Sequence, residues 1–421
     1  MDKIILQGQW PLKGKVKISG SKNASLPILA ATILADGPVT IDNVPNLSDV
    51  KTMMRLLEGF GMKVSYRNHQ CKTQPAPLTK HLAHYDLVRT MRASILVLGP
   101  LVAKVGKAVV SLPGGCAIGA RPVNLHLVAL EKLGAKIQVE HGYIHAEARA
   151  LQGAPIHFDT ITVTGTENAM MAACLAQGTT VITNAACEPE VVDLAQMLKA
   201  MGAKIEGEGT STITIEGVAS LKGCKFSVMP DRIEAGTFLI GACMTGGEIT
   251  LENANPHHLT SLIDKLKMAG AMVENGQKQL KIRGPKEISP VDISTSPYPN
   301  FPTDFQAQFM ALMALAKGES VIEENIFENR FMHVSELNRM GADIHLQGNK
   351  AFIKGVPKLS GAPIMATDLR ASACLVLAGL AAEGITEISR VYHIDRGYEG
   401  IEKKFRNVGA KVRRIKVKYR F

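Results

Sequence analysis

The chain has 421 residues, of which 46% are hydrophobic and 20% charged, and its net charge is +10. The length favours two or more domains. No stretch reaches the roughly 18 consecutive apolar residues of a membrane span, and residues 1–20 do not have the form of a signal peptide. We therefore expect a cytoplasmic protein without membrane insertion. The positive charge favours anionic partners, but aromatic residues make up only 5% and no recognised nucleic-acid-binding motif is present, so we expect no polynucleotide partner.

A short signature recurs six times along the chain, at points where a helix-like stretch ends in glycine and a strand-like stretch begins. The inner glycines follow one another at intervals of 68 to 73 residues. They are Gly61, Gly134, Gly202, Gly270, Gly341 and Gly409. Glycine directly after a helix is typical of a left-handed C-terminal cap. The spacing therefore predicts six repeats of about 70 residues.

Each repeat contains one helix that is apolar on nearly all sides and rich in alanine and glycine. In chain order these segments are 24–35, 92–103, 167–178, 235–244, 305–316 and 370–382. A helix without a polar face is buried, whereas the second helix of each repeat, such as 127–135, carries a polar stripe that faces solvent. We therefore predict an α/β fold with helices inside and sheets around them. Three repeats per lobe give a two-lobed inside-out α/β barrel with a cleft.

The starts of the buried helices carry polar and charged residues, among them Lys22, Arg89, Arg92 and Arg370. A helix N-terminus presents free N–H groups and partial positive charge, so several such ends are suited to a phosphorylated ligand. Alternatively, these residues are ordinary helix caps. Capping by serine, threonine or aspartate accounts for Thr303 and Thr367, but it leaves the arginines unexplained.

Residues 111–125 form an inserted, glycine-rich segment where the other repeats have only a short turn, and Cys116 lies near its middle. The seven cysteines of the chain are scattered and include no C-x-x-C pair, so we expect reduced thiols rather than a metal site or a disulfide framework. Arg121 and His126 would tune the pKa of an exposed Cys116 and make it reactive. A buried, inert cysteine is the alternative, and the residues alone leave both open.

Three further segments interrupt the repeat pattern. Residues 296–308 place three prolines ahead of Asp304, whose carboxylate is either a helix cap or a general base. Residues 328–334 contain Arg330 and His333. Residues 392–400 contain Arg396. Each segment can be an ordinary solvated turn, but together they concentrate the chemically versatile residues in turns and helix starts.

With these segments in order, the whole chain resembles the enolpyruvyl transferases, and among them those that act on UDP-N-acetylglucosamine. The most specific segment is LPGGCAIGARP at 112–122. The others are GSKNASLP (20–27), FPTDFQAQ (301–308), ENRFMHV (328–334), ATDLRAS (366–372) and HIDRGYEG (393–400). The resemblance implies a C-terminal lobe of residues 1–20 and 231–421, an N-terminal lobe of residues 21–230 with the Cys116 loop, and an active site in the cleft.

The resemblance also implies a reaction: the enolpyruvyl group of phosphoenolpyruvate is transferred to the 3′-hydroxyl of UDP-N-acetylglucosamine, and phosphate is released. This is the first committed step of peptidoglycan synthesis. Cys116 corresponds to the general acid, which the epoxide fosfomycin alkylates, and Asp304 to the general base. We expect no cofactor and no metal, and the oligomeric state stays open.

The other residues carried over by the resemblance bind the two substrates. Those on the phosphoenolpyruvate side are Lys22, Arg121 and Arg396, together with Arg330 and Arg370 around its carboxylate. Those on the UDP-sugar side are Asn23, Arg92, Pro122, Val123, Asn124, Leu125 and Ile326. Two positions depart from the family pattern on the nucleotide side: Asn124 replaces the expected aspartate, and Thr160 stands where some members carry lysine.

Two rival interpretations remain. The 5-enolpyruvylshikimate-3-phosphate synthases share the fold and phosphoenolpyruvate, but their GNAGT–Arg segment is absent from this sequence. A non-catalytic polyanion-binding protein on the same scaffold would have no use for a cysteine loop and an aspartate at matching positions. Release of phosphate from phosphoenolpyruvate, with each acceptor in turn, distinguishes the three.

Overall fold

The computed structural model describes residues 2–75, 77–78, 80–89, 91–112 and 123–416. These residues divide into two compact units. The C-terminal unit comprises residues 2–19 and 230–416, and the N-terminal unit comprises the described residues between 20 and 229.

The described residues contain 24 strands and 13 α-helices, joined by short turns and five short 3₁₀ helices. The strands are β1 (Asp2–Gln7), β2 (Lys13–Lys17), β3 (Val39–Asp42), β4 (Lys63–Arg67), β5 (Gln70–Gln74), β6 (Leu82–Ala83), β7 (Lys107–Ser111), β8 (Lys136–Glu140), β9 (Tyr143–Glu147), β10 (Pro155–His157), β11 (Thr179–Thr183), β12 (Lys204–Glu206), β13 (Thr212–Glu216), β14 (Lys225–Ser227), β15 (Glu248–Glu252), β16 (Met272–Asn275), β17 (Gln279–Arg283), β18 (Ile293–Ser294), β19 (Glu319–Glu323), β20 (Asp343–Gln347), β21 (Lys350–Lys354), β22 (Pro363–Met365), β23 (Ile385–Ser389) and β24 (Lys411–Lys416). The α-helices are α1 (Lys22–Ala31), α2 (Ser48–Gly59), α3 (Tyr85–Val88), α4 (Leu98–Val105), α5 (Asn124–Lys132), α6 (Val163–Ala173), α7 (Pro189–Ala200), α8 (Arg232–Met244), α9 (Thr260–Met268), α10 (Gln306–Met313), α11 (Val334–Arg339), α12 (Leu369–Ala381) and α13 (Ile401–Asn407).

All described strands belong to six four-stranded sheets that share one topology, as in the order β10-β11-β13-β12. In that sheet β10 pairs with β11 in parallel, and β11, β13 and β12 pair in antiparallel fashion. The same pattern recurs in the other five sheets. One sheet per 70-residue repeat is the structural form of the repetition found in the sequence.

Strands distant in sequence complete three of the sheets. β1 lies between β23 and β24, with Ile4 opposite both Ile388 and Arg414. β2 pairs in parallel with β15, so both N-terminal strands belong to the C-terminal unit. In the N-terminal unit, β14 completes the sheet of β3, β5 and β4 by pairing in parallel with β3.

The predicted apolar helices are the buried ones. Every residue of α8 and α10 is buried, as are eleven of the thirteen residues of α12. Together with α1, α4 and α6 of the N-terminal unit, they form the centres of two separate hydrophobic cores, one per unit. The second helices, such as α2, bury one side only. Among the described residues, no helix combines the length and apolar character that crossing a membrane requires.

The six signature glycines end these second helices, and all of them have φ between 92° and 107°. At three of them, Gly134, Gly202 and Gly341, an added Cβ would meet no atom within 4 Å. The requirement for glycine is therefore conformational rather than steric, because L residues rarely adopt this backbone region. The predicted caps are confirmed.

Candidate functional site

In the C-terminal unit, Asp304 lies between two arginines. Asp304 belongs to a single 3₁₀ turn, Thr303–Phe305, that leads into α10. Its Oδ1 accepts a hydrogen bond from Nη2 of Arg330 at 2.7 Å, and its Oδ2 accepts one from Nη2 of Arg370 at 2.8 Å. Arg370 is the second residue of α12, and Arg330 lies in the turn between β19 and α11. Three segments distant in sequence thus bring the predicted Asp304, Arg330 and Arg370 together.

The exposure of these charges is unequal. Both arginine side chains are 5% exposed, whereas 24% of the Asp304 side chain reaches the surface. Burial opposes ionisation of Asp304, but Arg370 and Arg330 outweigh it and hold the pKa of that carboxyl well below its usual range. Burial likewise opposes the charge of Arg370, yet Asp304 raises the pKa of its guanidinium above the ordinary value. The cluster is a reachable carboxylate held between two fixed cations.

A second layer of hydrogen bonds surrounds Arg370. Its Nη1 lies 3.4 Å from the hydroxyl of Tyr398, which is 1% exposed. That hydroxyl is 2.9 Å from Oγ1 of Thr237 and accepts a hydrogen bond from Nε2 of Gln308 at 3.3 Å. Burial raises the pKa of Tyr398, so the phenol stays neutral. Tyr398, Thr237 and Gln308 were not identified as candidate site residues from the sequence.

The capping prediction for Thr303 and Thr367 is wrong. Asp368 caps α12 by accepting hydrogen bonds from the N–H groups of Arg370 and Ala371. Thr303 forms no cap, because its hydroxyl bonds to side chains instead. Asp304 is not a cap either: the N-cap residue of α10 is Phe305, and both carboxylate oxygens of Asp304 accept hydrogen bonds from arginine side chains. Capping therefore does not account for the polar residues ahead of α10.

The remaining predicted residues of this unit lie in turns. His333 is 1% exposed, and burial lowers its pKa to about 4, an effect that Asp368 opposes and Arg330 reinforces. Arg396 ends the 3₁₀ turn Val391–Arg396 and is half-buried. Ile326 is 37% exposed and donates its N–H to Oε1 of Glu324 at 2.9 Å.

In the N-terminal unit, Lys22 is the first residue of α1, whose N-cap is Ser21. Its ammonium lies 3.2 Å from Oδ2 of Asp49 in α2, and the Lys22 side chain is 13% exposed. Asn23 follows in the first turn and is half-buried. Lys22 is therefore a largely buried cation, paired with Asp49, at the start of a buried helix.

His126 lies in α5 and is part of a buried hydrogen-bond chain. Its Nδ1 is 3.0 Å from Nδ2 of Asn168, and its Nε2 is 3.2 Å from Oγ1 of Thr164. Because Oδ1 of Asn168 accepts from the N–H of Gly99, the amide Nδ2 faces the ring and the proton resides on Nε2. Burial, reinforced by Arg92, lowers the pKa of His126 to about 3. The His126 ring is therefore neutral, and Cys116, whose pKa it was expected to tune, lies outside the described residues.

The other predicted residues of this unit differ in placement. Arg92 begins the 3₁₀ helix Arg92–Val97 and is half-buried. Val123 occupies the N-cap position of α5 without a side-chain cap, Asn124 is the exposed first residue of the helix, and Leu125 is half-buried. Thr160, one of the two departures, is exposed. Three predicted residues, Cys116, Arg121 and Pro122, lie outside the described residues.

Buried carboxyl groups of the N-terminal unit were missed in the sequence. Glu167 in α6 is 1% exposed, and Glu188 and Glu190 at the start of α7 are 9% and 2% exposed. Burial, reinforced by Glu190 and Glu188, raises the pKa of Glu167 well above its usual value. Asp193 in α7 accepts a hydrogen bond from the N–H of Met229, and burial raises its pKa to about 7. Among the described residues, no group of three or more His, Cys, Asp and Glu side chains is arranged to hold a metal ion.

Comparison with known proteins shows the family to which the chain is similar. The profile of the family described as EPSP synthase (3-phosphoshikimate 1-carboxyvinyltransferase) matches residues 6–405. The UDP-N-acetylglucosamine 1-carboxyvinyltransferase of Geotalea uraniireducens (strain Rf4) is 58% identical over 415 residues, which cover 99% of this chain and 100% of that protein. The protein of that name from Desulfatibacillum aliphaticivorans is 57% identical over 416 residues, with coverage of 99% and 100%.

Solved structures share the fold at low sequence identity. The enolpyruvyl transferase NikO from Streptomyces tendae is 23% identical, with a TM-score of 0.88 and coverage of 98% of both chains. An EPSP synthase from Acinetobacter baumannii is 20% identical, with a TM-score of 0.78 and coverage of 99% of this chain and 100% of that one. The predicted α/β fold, with three repeats in each of two lobes, is thereby confirmed.

Proposed function

The chain belongs to the enolpyruvyl transferase family, and we propose that it transfers the enolpyruvyl group of phosphoenolpyruvate to the 3′-hydroxyl of UDP-N-acetylglucosamine with release of phosphate. Relatives that are 56–58% identical over nearly their full length carry the name of this activity. The EPSP synthase structures are only 20–21% identical and support the shared fold alone. We place the reaction in the cytoplasm, as the first committed step of peptidoglycan synthesis.

The observation that carries the mechanism is Asp304 between Arg330 and Arg370. Two guanidiniums that already bind one carboxylate are suited to bind another, that of phosphoenolpyruvate. An incoming carboxylate would compete for these donors and loosen their hold on Asp304. The pKa of Asp304 would then rise from its depressed value, and the carboxylate would become a better acceptor for the proton of the sugar hydroxyl. Substrate binding thereby prepares the base.

Cys116 is the proposed general acid, which protonates the vinyl CH₂ of phosphoenolpyruvate as the sugar oxygen attacks the neighbouring carbon. In the elimination, a proton of the new methyl group returns to the thiolate that protonation left behind, phosphate leaves from the neighbouring carbon, and the double bond is restored. Lys22, Arg121 and Arg396 are proposed to bind the phosphoenolpyruvate side. Fixed cations stabilise developing charge without reorganisation, and the near-complete burial of the Lys22 side chain favours this role.

The UDP-sugar side is proposed to involve Asn23, Arg92, Asn124 and Ile326, together with Pro122, Val123 and Leu125. Asn124 is exposed at the first turn of α5, so its amide can donate to a ligand where an aspartate would only accept. The change from aspartate to asparagine therefore affects nucleotide contacts rather than the transfer itself.

The proposal is tested by measuring phosphate release from phosphoenolpyruvate with each acceptor in turn. We expect release with UDP-N-acetylglucosamine and none with shikimate-3-phosphate. The reverse result would assign the chain to the shikimate branch. No release with either acceptor would leave the polyanion-binding protein as the better interpretation.

The role of Cys116 has its own test, alkylation by fosfomycin. We expect a single adduct, located by mass spectrometry within residues 111–121. Cys174 and Cys243 are matched controls, because burial raises the pKa of each to about 12 and keeps the thiol protonated. An unmodified Cys116 under turnover conditions would remove it as the reactive thiol.

A further inference from the structure

Glu324, which directly follows β19, is a buried carboxyl group that only accepts hydrogen bonds. It is 3% exposed. Its Oε1 accepts from the N–H groups of Ile326 at 2.9 Å and Phe327 at 3.1 Å and from the hydroxyl of Thr295 at 3.1 Å. Its Oε2 accepts from the hydroxyl of Thr303 at 2.8 Å. Four donors thus converge on one side chain.

This arrangement sets the direction of the Thr303 hydroxyl. A carboxylate has no proton to donate, so Thr303 must direct its single O–H toward Glu324. The lone pairs of Thr303 Oγ1 are then left for Nη1 of Arg330, which lies 2.8 Å away. Nη2 of the same guanidinium contacts Asp304 at 2.7 Å. The adjacent residues Thr303 and Asp304 therefore accept one hydrogen bond each from the two terminal nitrogens of Arg330.

We propose that Glu324 and Thr303 are positioning residues for the transfer reaction: through their hydrogen bond they fix the plane of the Arg330 guanidinium against Asp304. This inference rests on the function proposed above, in which Arg330 binds the carboxylate of phosphoenolpyruvate. A guanidinium held at one terminal nitrogen keeps its orientation when the substrate draws the other nitrogen away from Asp304. Preorganised donors of this kind need no rearrangement during the reaction.

Glu323, the preceding residue, provides the contrast. Its side chain is 33% exposed, its Oε2 accepts from the hydroxyl of Ser294 at 3.1 Å, and its Oε1 lies 3.7 Å from Lys350. Glu323 belongs to β19, and neither its hydrogen bond with Ser294 nor its ion pair with Lys350 involves Thr303 or Arg330. A change at Glu323 thus alters charge and strand contacts without touching the hydrogen bonds that orient Arg330.

The experiment compares Thr303→Val, Glu324→Gln and the double variant by steady-state kinetics with both substrates. Thr303→Val removes the hydroxyl at nearly constant shape. Glu324→Gln keeps a carbonyl oxygen for Ile326 and Phe327, but its amide N–H groups face Thr303 and reverse that hydrogen bond. Each single change is expected to lower kcat/KM for phosphoenolpyruvate about tenfold while KM for UDP-N-acetylglucosamine changes by less than about twofold. The double variant is expected to lose no more than either single one, because both act on one chain of hydrogen bonds.

Two further variants separate positioning from a general loss of structure. Thr303→Ser restores the hydroxyl and is expected to recover most of kcat/KM, and Glu323→Gln is expected to behave as wild type. Thermal unfolding of every variant identifies any that is poorly folded, and Thr303→Ser then provides the comparison.

Two results would overturn the inference: unchanged kcat/KM in folded Thr303→Val, or losses that multiply to about a hundredfold in the double variant. A rise in KM for UDP-N-acetylglucosamine as large as the loss for phosphoenolpyruvate would also contradict it, since it indicates general disruption. An inactive wild-type protein would instead refute the proposed function itself, so the two failures are distinguishable.

Discussion

Asp304 of the C-terminal unit and Glu167 of the N-terminal unit are both acidic residues near the start of a central helix, yet their ionisation is opposite. Asp304 contacts Arg330 and Arg370, and its pKa is well below the usual range. Glu167 is 1% exposed, its Oε1 has no hydrogen-bond partner among the described residues, and its pKa is well above the usual value.

The difference lies in the partners rather than in the scaffold. Burial disfavours the charged form of both groups. Two buried cations reverse that effect at Asp304, whereas Glu190 and Glu188 add to it at Glu167. Two arginines therefore favour the ionised form of Asp304, whereas burial and two neighbouring carboxyls favour the protonated form of Glu167. Only the ionised one is equipped to accept a proton at neutral pH.

The strongest test of this comparison is Asp304→Ala. Turnover is expected to fall by a factor of roughly 10² or more, because the base is lost, while UDP-sugar binding is retained. The folded state is expected to lose about 3 kcal/mol, because two arginines that are 5% exposed lose their shared carboxylate. Phosphate-release kinetics and denaturant unfolding measure the two effects.

The control for this variant is Asp343→Ala, at a side chain that is 44% exposed and lies 3.0 Å from an exposed His345. It is expected to change neither quantity appreciably. The loss of stability in Asp304→Ala should also shrink as the pH falls below about 3.8, because the contribution of a carboxyl with a depressed folded pKa disappears on protonation. A near-normal rate in Asp304→Ala would remove it as the base.

Asp193→Asn extends the comparison to a second carboxyl of the N-terminal unit. The pKa of Asp193 is about 7 in the folded protein, compared with 3.8 for an ordinary aspartate in the unfolded chain. Between these two pH values the folded state binds more protons than the unfolded state, so the free energy of unfolding falls as the pH rises. The asparagine variant does not titrate, and relative to wild type it should gain roughly 1.4 kcal/mol for each pH unit between about 4 and 7. Unfolding free energies across this range, with the exposed Asp159→Asn as control, test the sign. A parallel dependence in both proteins would show that Asp193 does not titrate as inferred.

Arg370→Lys tests the contribution of one of the two arginines that lower the pKa of Asp304 and have no counterpart at Glu167. An ammonium lacks the planar fork that contacts Asp304 and Tyr398 from one side chain. KM for phosphoenolpyruvate is expected to rise about tenfold, with a smaller change for the UDP-sugar. Arg339→Lys, at a side chain that is 61% exposed, is the matched control. Equal effects of the two substitutions would mean that guanidinium geometry is unimportant at Arg370.

Glu167→Gln tests the neutral member of the comparison and has the smallest expected effect. Glutamine resembles a protonated glutamate in shape, so the variant is expected to fold and to be more stable by roughly 1 kcal/mol at neutral pH. The gain should increase as the pH rises above 4.5, because the wild-type folded state resists ionisation there. Glu147→Gln, at a side chain that is 59% exposed, provides the reference in the same unfolding experiment. A loss of stability at high pH would indicate that Glu167 is ionised after all.

Much of the fold could be predicted from the sequence because the patterns that indicate it are local and occur in every repeat. Glycine after a helix, an apolar helix and a short strand each follow from a few neighbouring residues. Six copies of the same order left little freedom in the architecture. Confirmation is clearest at the six glycines, all with positive φ, and at α8 and α10, which are buried along their whole length.

The candidate site was only partly readable. Asp304, Arg330 and Arg370 were identified through family motifs, and the structure brings them together. Thr303 was misread as a cap because a threonine before a helix usually is one. The neutral state of His126 was not predicted, since sequence gives no measure of its burial.

Glu324 was missed because its neighbour Glu323 is chemically identical and only the first of the pair reaches solvent. Their opposite environments depend on where β19 ends, and its last residue is Glu323. A one-residue difference in position along the strand decides which carboxyl joins Thr303 and Arg330.

By itself, the sequence determined the repeat, the buried helices, the glycine caps and the family, because each depends on residues close together in the chain. The tertiary structure alone decided which carboxyls are ionised and how Arg330 is oriented. Those properties arise from pairing across 26 to 66 positions, as between Asp304 and Arg330 or Arg370, and from the exclusion of water around the pair. The strength of an electrostatic interaction depends on distance and surroundings in space, and neither is encoded in any short stretch of the chain.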